Sequence, residues 1–122
     1  ADIKNAGHEL VLVSSGAIGM GVGKLNLSER PKDTPSKQAA AAVGQCELMH
    51  IYDDMFAKYN VTVAQILLTR ATLTNERLPH VQNTIGRLLE MGVIPIVNEN
   101  DTVAKTTPCP LRLRRQWAQI CW

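Results

Sequence analysis

The sequence predicts an α/β fold built around a parallel sheet. Three short apolar runs of strand length occur at 10–13, 61–68 and 93–97, and helical patterns separate them. Short runs that are apolar throughout are typical of parallel strands buried on both faces, and their alternation with helices favours a parallel sheet.

The first strand, Leu10–Val13, leads directly into the small residues Ser14, Ser15, Gly16 and Ala17. A strand that passes through such a turn into a helix presents backbone N–H groups at its carboxyl end, where open α/β sheets bind ligands. The turn is therefore either a phosphate or carboxylate cradle or a plain strand-to-helix connection. The segment 14–23 lacks the lysine of a Walker P-loop.

Further helices are expected along the chain. Residues 2–8 are interpreted as the last turn of one helix, ended by Gly7. After an irregular polar stretch at 24–33, Thr34 is expected to cap a long helix with Pro35 at its first position. Its apolar face is predicted from the residues Ala39, Ala42, Val43, Cys46, Met49, Tyr52, Phe56 and Tyr59.

Within that helix, the run 39–42 should allow close approach of a neighbour, and Cys46 is expected to pack as a small hydrophobic residue. The second strand, Val61–Leu68, is followed by a break at Pro79 and by an amphipathic helix that Gly92 closes. The third strand, 93–97, contains Pro95, which predicts an irregular or bulged strand.

The third strand runs into a second polar segment, 98–102. Asn98, Glu99, Asn100 and Asp101 place two carboxylates and two amides where they suit an ammonium group or a metal-bound phosphate. The alternative is a solvated loop. Because 14–23 and 98–102 both follow strands of a parallel sheet, we expect them at its carboxyl edge.

Composition points to a globular protein without a metal or disulfide framework. Hydrophobic residues make up 45% of the chain and charged residues 20%, which favours a packed core. The cysteines (Cys46, Cys109, Cys121) and histidines (His8, His50, His80) show no ligand spacing, so we infer neither zinc nor disulfides and place the histidines on the surface.

No apolar run spans a bilayer and no secretory signal is present, so we expect a cytoplasmic protein with no membrane partner.

Four segments carry a resemblance to a known family. They are 11–18 (VLVSSGAI), 37–45 (KQAAAAVGQ), 64–70 (AQILLTR) and 92–104 (GVIPIVNENDTVA). In order and spacing they resemble the signature segments of the glutamate 5-kinases, a branch of the amino acid kinase family, across nearly all of residues 1–104. The resemblance implies an incomplete three-layer α/β/α sandwich with a mainly parallel sheet, corresponding to the half that binds the phosphate acceptor.

The resemblance also implies a reaction. Glutamate 5-kinases phosphorylate the side-chain carboxylate of L-glutamate to L-glutamyl 5-phosphate with ATP and Mg²⁺, at the start of proline synthesis. It implies that Ser15 and Asp101 contact glutamate, with Gly16 and Asn98 nearby. The family's phosphate-stabilising lysines would lie outside this chain. We therefore assign no catalytic or metal-binding residue and expect the chain alone to be inactive.

The resemblance ends at Ala104. Residues 105–122 carry four basic residues and no acid, whereas residues 1–104 have a net charge of −2. We therefore expect a partial kinase domain at 1–104 and a divergent basic tail at 105–122, interpreted as a frameshift or assembly artefact; a genuine divergent terminus is the alternative.

Other functions were weighed against glutamate phosphorylation. They are a kinase of the same family for acetylglutamate, aspartate or uridylate, and a non-catalytic module that senses glutamate or proline. Nucleic-acid binding through Arg112, Arg114, Arg115 and Trp117 is disfavoured because the cations are confined to the tail. By resemblance, the full-length protein is expected to form homo-oligomers and to bind proline as a feedback inhibitor.

Overall fold

A computed structural model describes residues 6–103 and the backbone of residues 119–121. The predicted helix end at 2–8 lies partly outside this range, but Gly7 is described and has φ +86°, the left-handed conformation expected of a closing glycine. Most of the predicted tail, 105–122, also lies outside the described residues.

The described strands form one parallel sheet, as predicted. They are β1 (Val11–Val13), β2 (Val63–Leu68), β3 (Ile94–Glu99) and β4 (Gln119–Cys121), in the order β2-β3-β1-β4. Strand β3 pairs with β2 from Val63–Ile94 to Leu68–Glu99 and with β1 at Leu12–Ile96 and Val13–Val97. Strand β4, which was not predicted, pairs with the other edge of β1.

The described part of the chain contains three α-helices, α1 (Ala17–Lys24), α2 (Thr34–Ala57) and α3 (Leu78–Glu90), and a 3₁₀ turn at Arg70–Leu73. On one face of the sheet, α2 packs through Met49, Tyr52 and Phe56 against a core of Leu10, Leu12, Val61, Ile94 and Ile96. On the other, α3 contributes Ile85 and Leu89 to a core with Val11, Leu68 and Val97. The sheet lies between helices, so the predicted α/β/α layering is confirmed.

Helix α1 lies directly against the first half of α2. A Cβ atom on Gly21 would lie 1.8 Å from the Ala40 carbonyl oxygen, so only a glycine fits here without a shift of the helices. Ala40 and Ala41 are fully buried at the same contact. The close approach predicted from the alanine run is therefore confirmed.

The predicted apolar face of α2 is wrong in its first half. Ala39, Ala42 and Cys46 are exposed, and the buried positions there are Ala40, Ala41, Gly44 and Gln45. Small residues allow two backbones to touch, and this contact sets the orientation of the helix more strongly than the size of individual apolar side chains. In the second half, Met49, Tyr52 and Phe56 contact the sheet as expected, whereas Tyr59 lies beyond the helix end and is exposed.

The helix boundaries differ from prediction by about one residue. Asp33, not Thr34, caps α2, because its carboxylate accepts a hydrogen bond from the Ser36 N–H at 2.9 Å. The hydrogen bonds from Ser36 also hold the pKa of Asp33 below its usual value. Contrary to prediction, Pro79 does not separate two elements but lies in the first turn of α3, where a missing backbone N–H is tolerated. Gly92, at φ +76°, ends α3 as predicted.

Pro95 does not interrupt β3, contrary to prediction. Its register with β2 is continuous from Ile94 to Ile96, and Pro95 is fully buried. The Ile94 N–H donates to Thr62 of the β2 side, and successive N–H groups of a strand point to opposite sides. The missing donor of Pro95 therefore faces β1, where pairing begins only at Ile96. The ladder loses no bond there.

Candidate active site at the carboxyl ends of β1 and β3

The two polar segments singled out in the sequence lie side by side. Strands β1 and β3 are parallel neighbours, and the Ser14 N–H donates to the Val97 carbonyl at 2.8 Å, just beyond the last strand pair. Residues 15–16 follow β1, and residues 98–101 comprise the end of β3 and the turn after it. Both segments therefore lie at the carboxyl end of the sheet. This arrangement agrees with the expectation from the sequence.

Ser15 and Gly16 form the turn between β1 and α1. Gly16 has φ +95°, a conformation that other residues adopt only with strain, and it serves as the N-cap of α1 without a side chain to cap it. The first turn of α1 carries no acidic residue, so its free N–H groups and the positive end of its dipole are available to an anion. Ser15 is exposed beside them.

Asn98 belongs to β3 rather than to a loop, which corrects the prediction. The strand extends to Glu99, and Asn98 pairs with Leu67. Its side chain is only 4% exposed. Its Oδ1 accepts the Glu99 N–H at 2.8 Å, which fixes the amide orientation because a backbone N–H can only donate. Among residues 6–103 its Nδ2 group is buried without a hydrogen-bond partner, at a cost of about 1–3 kcal/mol.

Asp101 lies in the turn that follows β3. The Asn100 N–H donates to the Leu68 carbonyl at 2.8 Å and holds this turn against the end of β2. Burial raises the pKa of the Asp101 carboxyl, and the positive charge of Arg30 partly offsets this effect. A half-buried carboxylate of this kind is stabilised by a bound cation.

The predicted substrate-binding residues therefore share one edge of the sheet. Ser15 and Gly16 follow β1, Asn98 is the last residue but one of β3, and Asp101 comes three residues later. Together they offer donors from a helix N-terminus and an amide, and one acceptor carboxylate. Such a set suits a small ligand that carries both a carboxylate and a cationic group.

Further polar residues near this end of the sheet were not predicted as part of the site. The hydroxyl groups of Ser14 and Tyr52 share a hydrogen bond at 2.9 Å, although Tyr52 was predicted only as an apolar contact. Gln65 Nε2 donates to Gln45 Oε1 at 3.1 Å. In the sequence, Gln45 is the last residue of the segment 37–45 that resembles the kinase family, and Gln65 is a polar residue within an otherwise apolar strand. These two features could have indicated a role for both residues.

The described residues contain no cluster of metal-binding side chains. Across residues 6–103, no group of three His, Cys, Asp or Glu side chains is placed to hold a metal ion, so no described residue is assigned to Mg²⁺. All three histidines are exposed, as predicted, and Cys46 is an exposed free thiol rather than a packed one. None of the described helices combines the length and apolar character needed to cross a bilayer.

The structure is that of an α/β protein with a parallel sheet between helices, and sequence comparison gives its family. The profile of the amino acid kinase family matches residues 1–114. The chain belongs to the amino acid kinase family.

Curated relatives agree with this assignment. A glutamate 5-kinase from Clostridium perfringens (strain 13 / Type A) is 60% identical over 105 residues, which are 85% of this chain and 39% of the relative. Glutamate 5-kinases from Enterococcus faecalis (strain ATCC 700802 / V583) and Moorella thermoacetica (strain ATCC 39073 / JCM 9320) are each 56% identical, over 85% and 84% of this chain and 39% and 28% of their own length. The chain thus spans about two fifths or less of these relatives.

Proposed function

We propose that this chain is the acceptor-binding part of an ATP-dependent glutamate 5-kinase, a cytoplasmic enzyme that converts L-glutamate to L-glutamyl 5-phosphate at the start of proline synthesis. The similarity to proteins of that name supports the proposal. The main structural support is that the N-terminus of α1, which suits an anion, and the Asp101 carboxylate, which suits a cation, both lie at the carboxyl ends of β1 and β3.

The groups at this edge match an amino acid. In the proposed complex, the Ser15 hydroxyl and the first N–H groups of α1, after Gly16, donate to a carboxylate of glutamate. Asn98 Nδ2, which is buried without a partner, donates to the same ligand. The Asp101 carboxylate faces the α-ammonium group. Charge-assisted hydrogen bonds of these kinds are stronger than neutral ones.

The proposed reaction needs no general base from this chain. An oxygen of the glutamate side-chain carboxylate, already ionised at neutral pH, attacks the γ-phosphorus of ATP. A P–O bond to the new acyl phosphate forms, and the bond between the γ-phosphorus and the bridging oxygen of ADP breaks. The total charge is unchanged and no proton moves. The described residues supply positioning of the acceptor, which is a large part of phosphoryl-transfer catalysis.

The ligand itself gives the first test. Isothermal titration of the chain should show that L-glutamate binds, and that N-acetyl-L-glutamate binds about 10-fold or more weakly, because it lacks the ammonium group that Asp101 would contact. L-Aspartate, with a side chain one methylene shorter, should also bind more weakly. Equal binding of all three, or none, would contradict the proposal.

Two variants test the proposed contacts. Ser15→Ala and Asp101→Asn should each weaken glutamate binding by about 10-fold or more, since a hydrogen bond to a charged group contributes about 1.5–3 kcal/mol. Asp53→Asn is the matched control, because Asp53 is exposed on α2. An effect of the control equal to that of Asp101→Asn would show that net charge, not contact, controls binding.

The nucleotide part of the proposal needs a separate measurement. Incubation of the chain with ATP, Mg²⁺, L-glutamate and hydroxylamine would trap glutamyl phosphate as the hydroxamate. We expect none from the 122-residue chain, and hydroxamate from a full-length protein that contains it. Titration with L-proline in the presence of glutamate tests whether proline, the proposed feedback inhibitor, competes for this site.

A further inference from the structure

Three buried polar side chains lie in one layer beneath the candidate site. Ser14, Gln45 and Asn98 are 8%, 6% and 4% exposed. Side chains alternate along a strand, so Ser14 lies on the same face as Leu12, and Asn98 on the same face as Ile96. Leu12 and Ile96 belong to the core that packs against α2. The layer is therefore on the α2 side, at the carboxyl end of the sheet.

Gln45 is held in this layer from two directions. Its neighbour Gly44 lies against Ala17 and Gly21, which places Gln45 beside the first turns of α1. Its Oε1 accepts a hydrogen bond from Gln65 Nε2, and Gln65 pairs in register with Ile96, two residues before Asn98. The amide of Gln45 thus lies between the β2–β3 face and the start of α1.

Two amide donors in the layer have no partner. Gln45 Nε2 and Asn98 Nδ2 are both buried and make no hydrogen bond to any residue that the structure describes. In both residues the amide oxygen is already occupied, by Gln65 and by the Glu99 N–H. Buried donors without partners are rare because burial removes their bonds to water. An apolar residue of the same size would avoid that cost, so the pair points to a bound acceptor.

We propose that Gln45 is a substrate-contacting residue: its Nε2, together with Asn98 Nδ2, donates to the carboxylate oxygens of the bound amino acid. Gln65 is a positioning residue that holds the Gln45 amide with its N–H groups towards the ligand. This inference rests on the proposed function. It adds a contact from α2, whose backbone also positions the start of α1.

The substitution Gln45→Leu tests the contact, because leucine is similar in size and has no donor. L-Glutamate should bind about 10-fold or more weakly by isothermal titration, while thermal unfolding of the ligand-free variant should occur at the same or a higher temperature. A residue needed only for folding would lower that temperature instead. Gln82→Leu, at an exposed position on α3, should change neither quantity.

A second measurement on the unchanged chain keeps the test independent of folding. In ¹H–¹⁵N spectra, the side-chain NH₂ signals of Gln45 and Asn98 should shift as L-glutamate is added, with the same apparent Kd as the backbone signal of Ser15. The signals of Gln82, which is exposed, should stay in place.

The outcomes separate this inference from the proposed function. If glutamate binds and shifts Ser15 but leaves the Gln45 NH₂ signal in place, or if Gln45→Leu binds it as tightly as the unchanged chain, only the role of Gln45 is overturned. If no glutamate binds, the proposed acceptor site and the role of Gln45 are both overturned. A shift of Gln45 with loss of binding in Gln45→Leu supports both.

Discussion

A Cβ atom on Gly44 would lie 1.7 Å from the carbonyl oxygen of Ala17. The backbone of α2 therefore touches the first residue of α1, the helix whose N-terminus faces the candidate site. Since no rotamer change can relieve a clash between a Cβ atom and a backbone carbonyl, this contact fixes the distance between the two helices. The position of the turn at Ser15 and Gly16 therefore depends on a glycine that lies far from it in sequence.

Replacement of Gly44 by alanine should therefore both destabilise the protein and disturb the site. We expect a loss of about 1–3 kcal/mol in the free energy of unfolding, the range of overpacked cores, and weaker glutamate binding as α1 shifts. Urea unfolding and titration measure the two effects. Gly86→Ala is the control: it lies in α3 with open space around its Cβ position, so alanine should stabilise it by up to about 1 kcal/mol. Unchanged stability of Gly44→Ala would contradict the contact.

The Ser14–Tyr52 hydrogen bond connects the end of β1 to α2. Tyr52→Phe removes one hydroxyl and leaves the Ser14 hydroxyl buried without that partner, so we expect a loss of about 0.5–1.5 kcal/mol in unfolding free energy. Tyr59→Phe is the matched control, because Tyr59 is 57% exposed, and it should have little effect. Equal urea midpoints for the two variants would show that the buried hydrogen bond contributes nothing measurable.

The salt bridge between Lys24 and Glu47 joins the end of α1 to α2 at 2.8 Å. The hydrogen bond and charge of Lys24 lower the pKa of Glu47, and Glu47 raises the pKa of Lys24. The contribution of Glu47 to folding stability is thus present above its ordinary pKa and is lost as pH falls through its lowered pKa. The contribution of Lys24 to folding stability is lost as pH rises through its raised pKa.

Glu47→Gln should accordingly lower the unfolding temperature at neutral pH, and the difference from the unchanged chain should vanish in acid, below the lowered pKa. It should also shrink at high salt, because both side chains are partly exposed. Thermal unfolding between acidic and neutral pH measures this. Glu29→Gln is the control, since Glu29 is 3.9 Å from Lys32 and both side chains are highly exposed. A difference that persisted in acid would contradict an ionic role for Glu47.

The fold was largely predictable because each of the three predicted strands is a mainly apolar run, and their alternation with helices favours a parallel sheet. The errors share one physical cause. The exposure of Ala39 and Cys46 and the uninterrupted register at Pro95 depend on which neighbour each residue meets. The periodicity of a single segment carries no information about that neighbour.

The candidate site was predictable only in part for a similar reason. Ser15, Gly16 and Asp101 stood out because polar or small residues directly follow a buried strand. Gln45 did not, because a glutamine within a helix is usually exposed. Its burial follows from the contact of Gly44 with Ala17, which sequence spacing alone does not predict. The partnerless amide of Asn98 likewise became visible only when the hydrogen bonds of its neighbours were known.

The pH dependence of glutamate binding should report the ionisation of Asp101. Burial raises the pKa of this carboxyl above its ordinary value of 3.8. Binding that needs an ionised Asp101 to face the ammonium group should therefore weaken, as pH falls, at a higher pH than for an ordinary aspartate.

The ionisation of Asp101 has the opposite effect on folding stability. Without ligand, the buried charge lowers the free energy of unfolding as pH rises from the ordinary to the raised pKa. Asp101→Asn should thus bind weakly at every pH, yet unfold at the same or a higher temperature near neutrality. Titration and thermal unfolding from acidic to neutral pH measure the two effects. If Asp101→Asn bound glutamate as tightly as the unchanged chain, with the same pH dependence, a different group would have to face the ammonium.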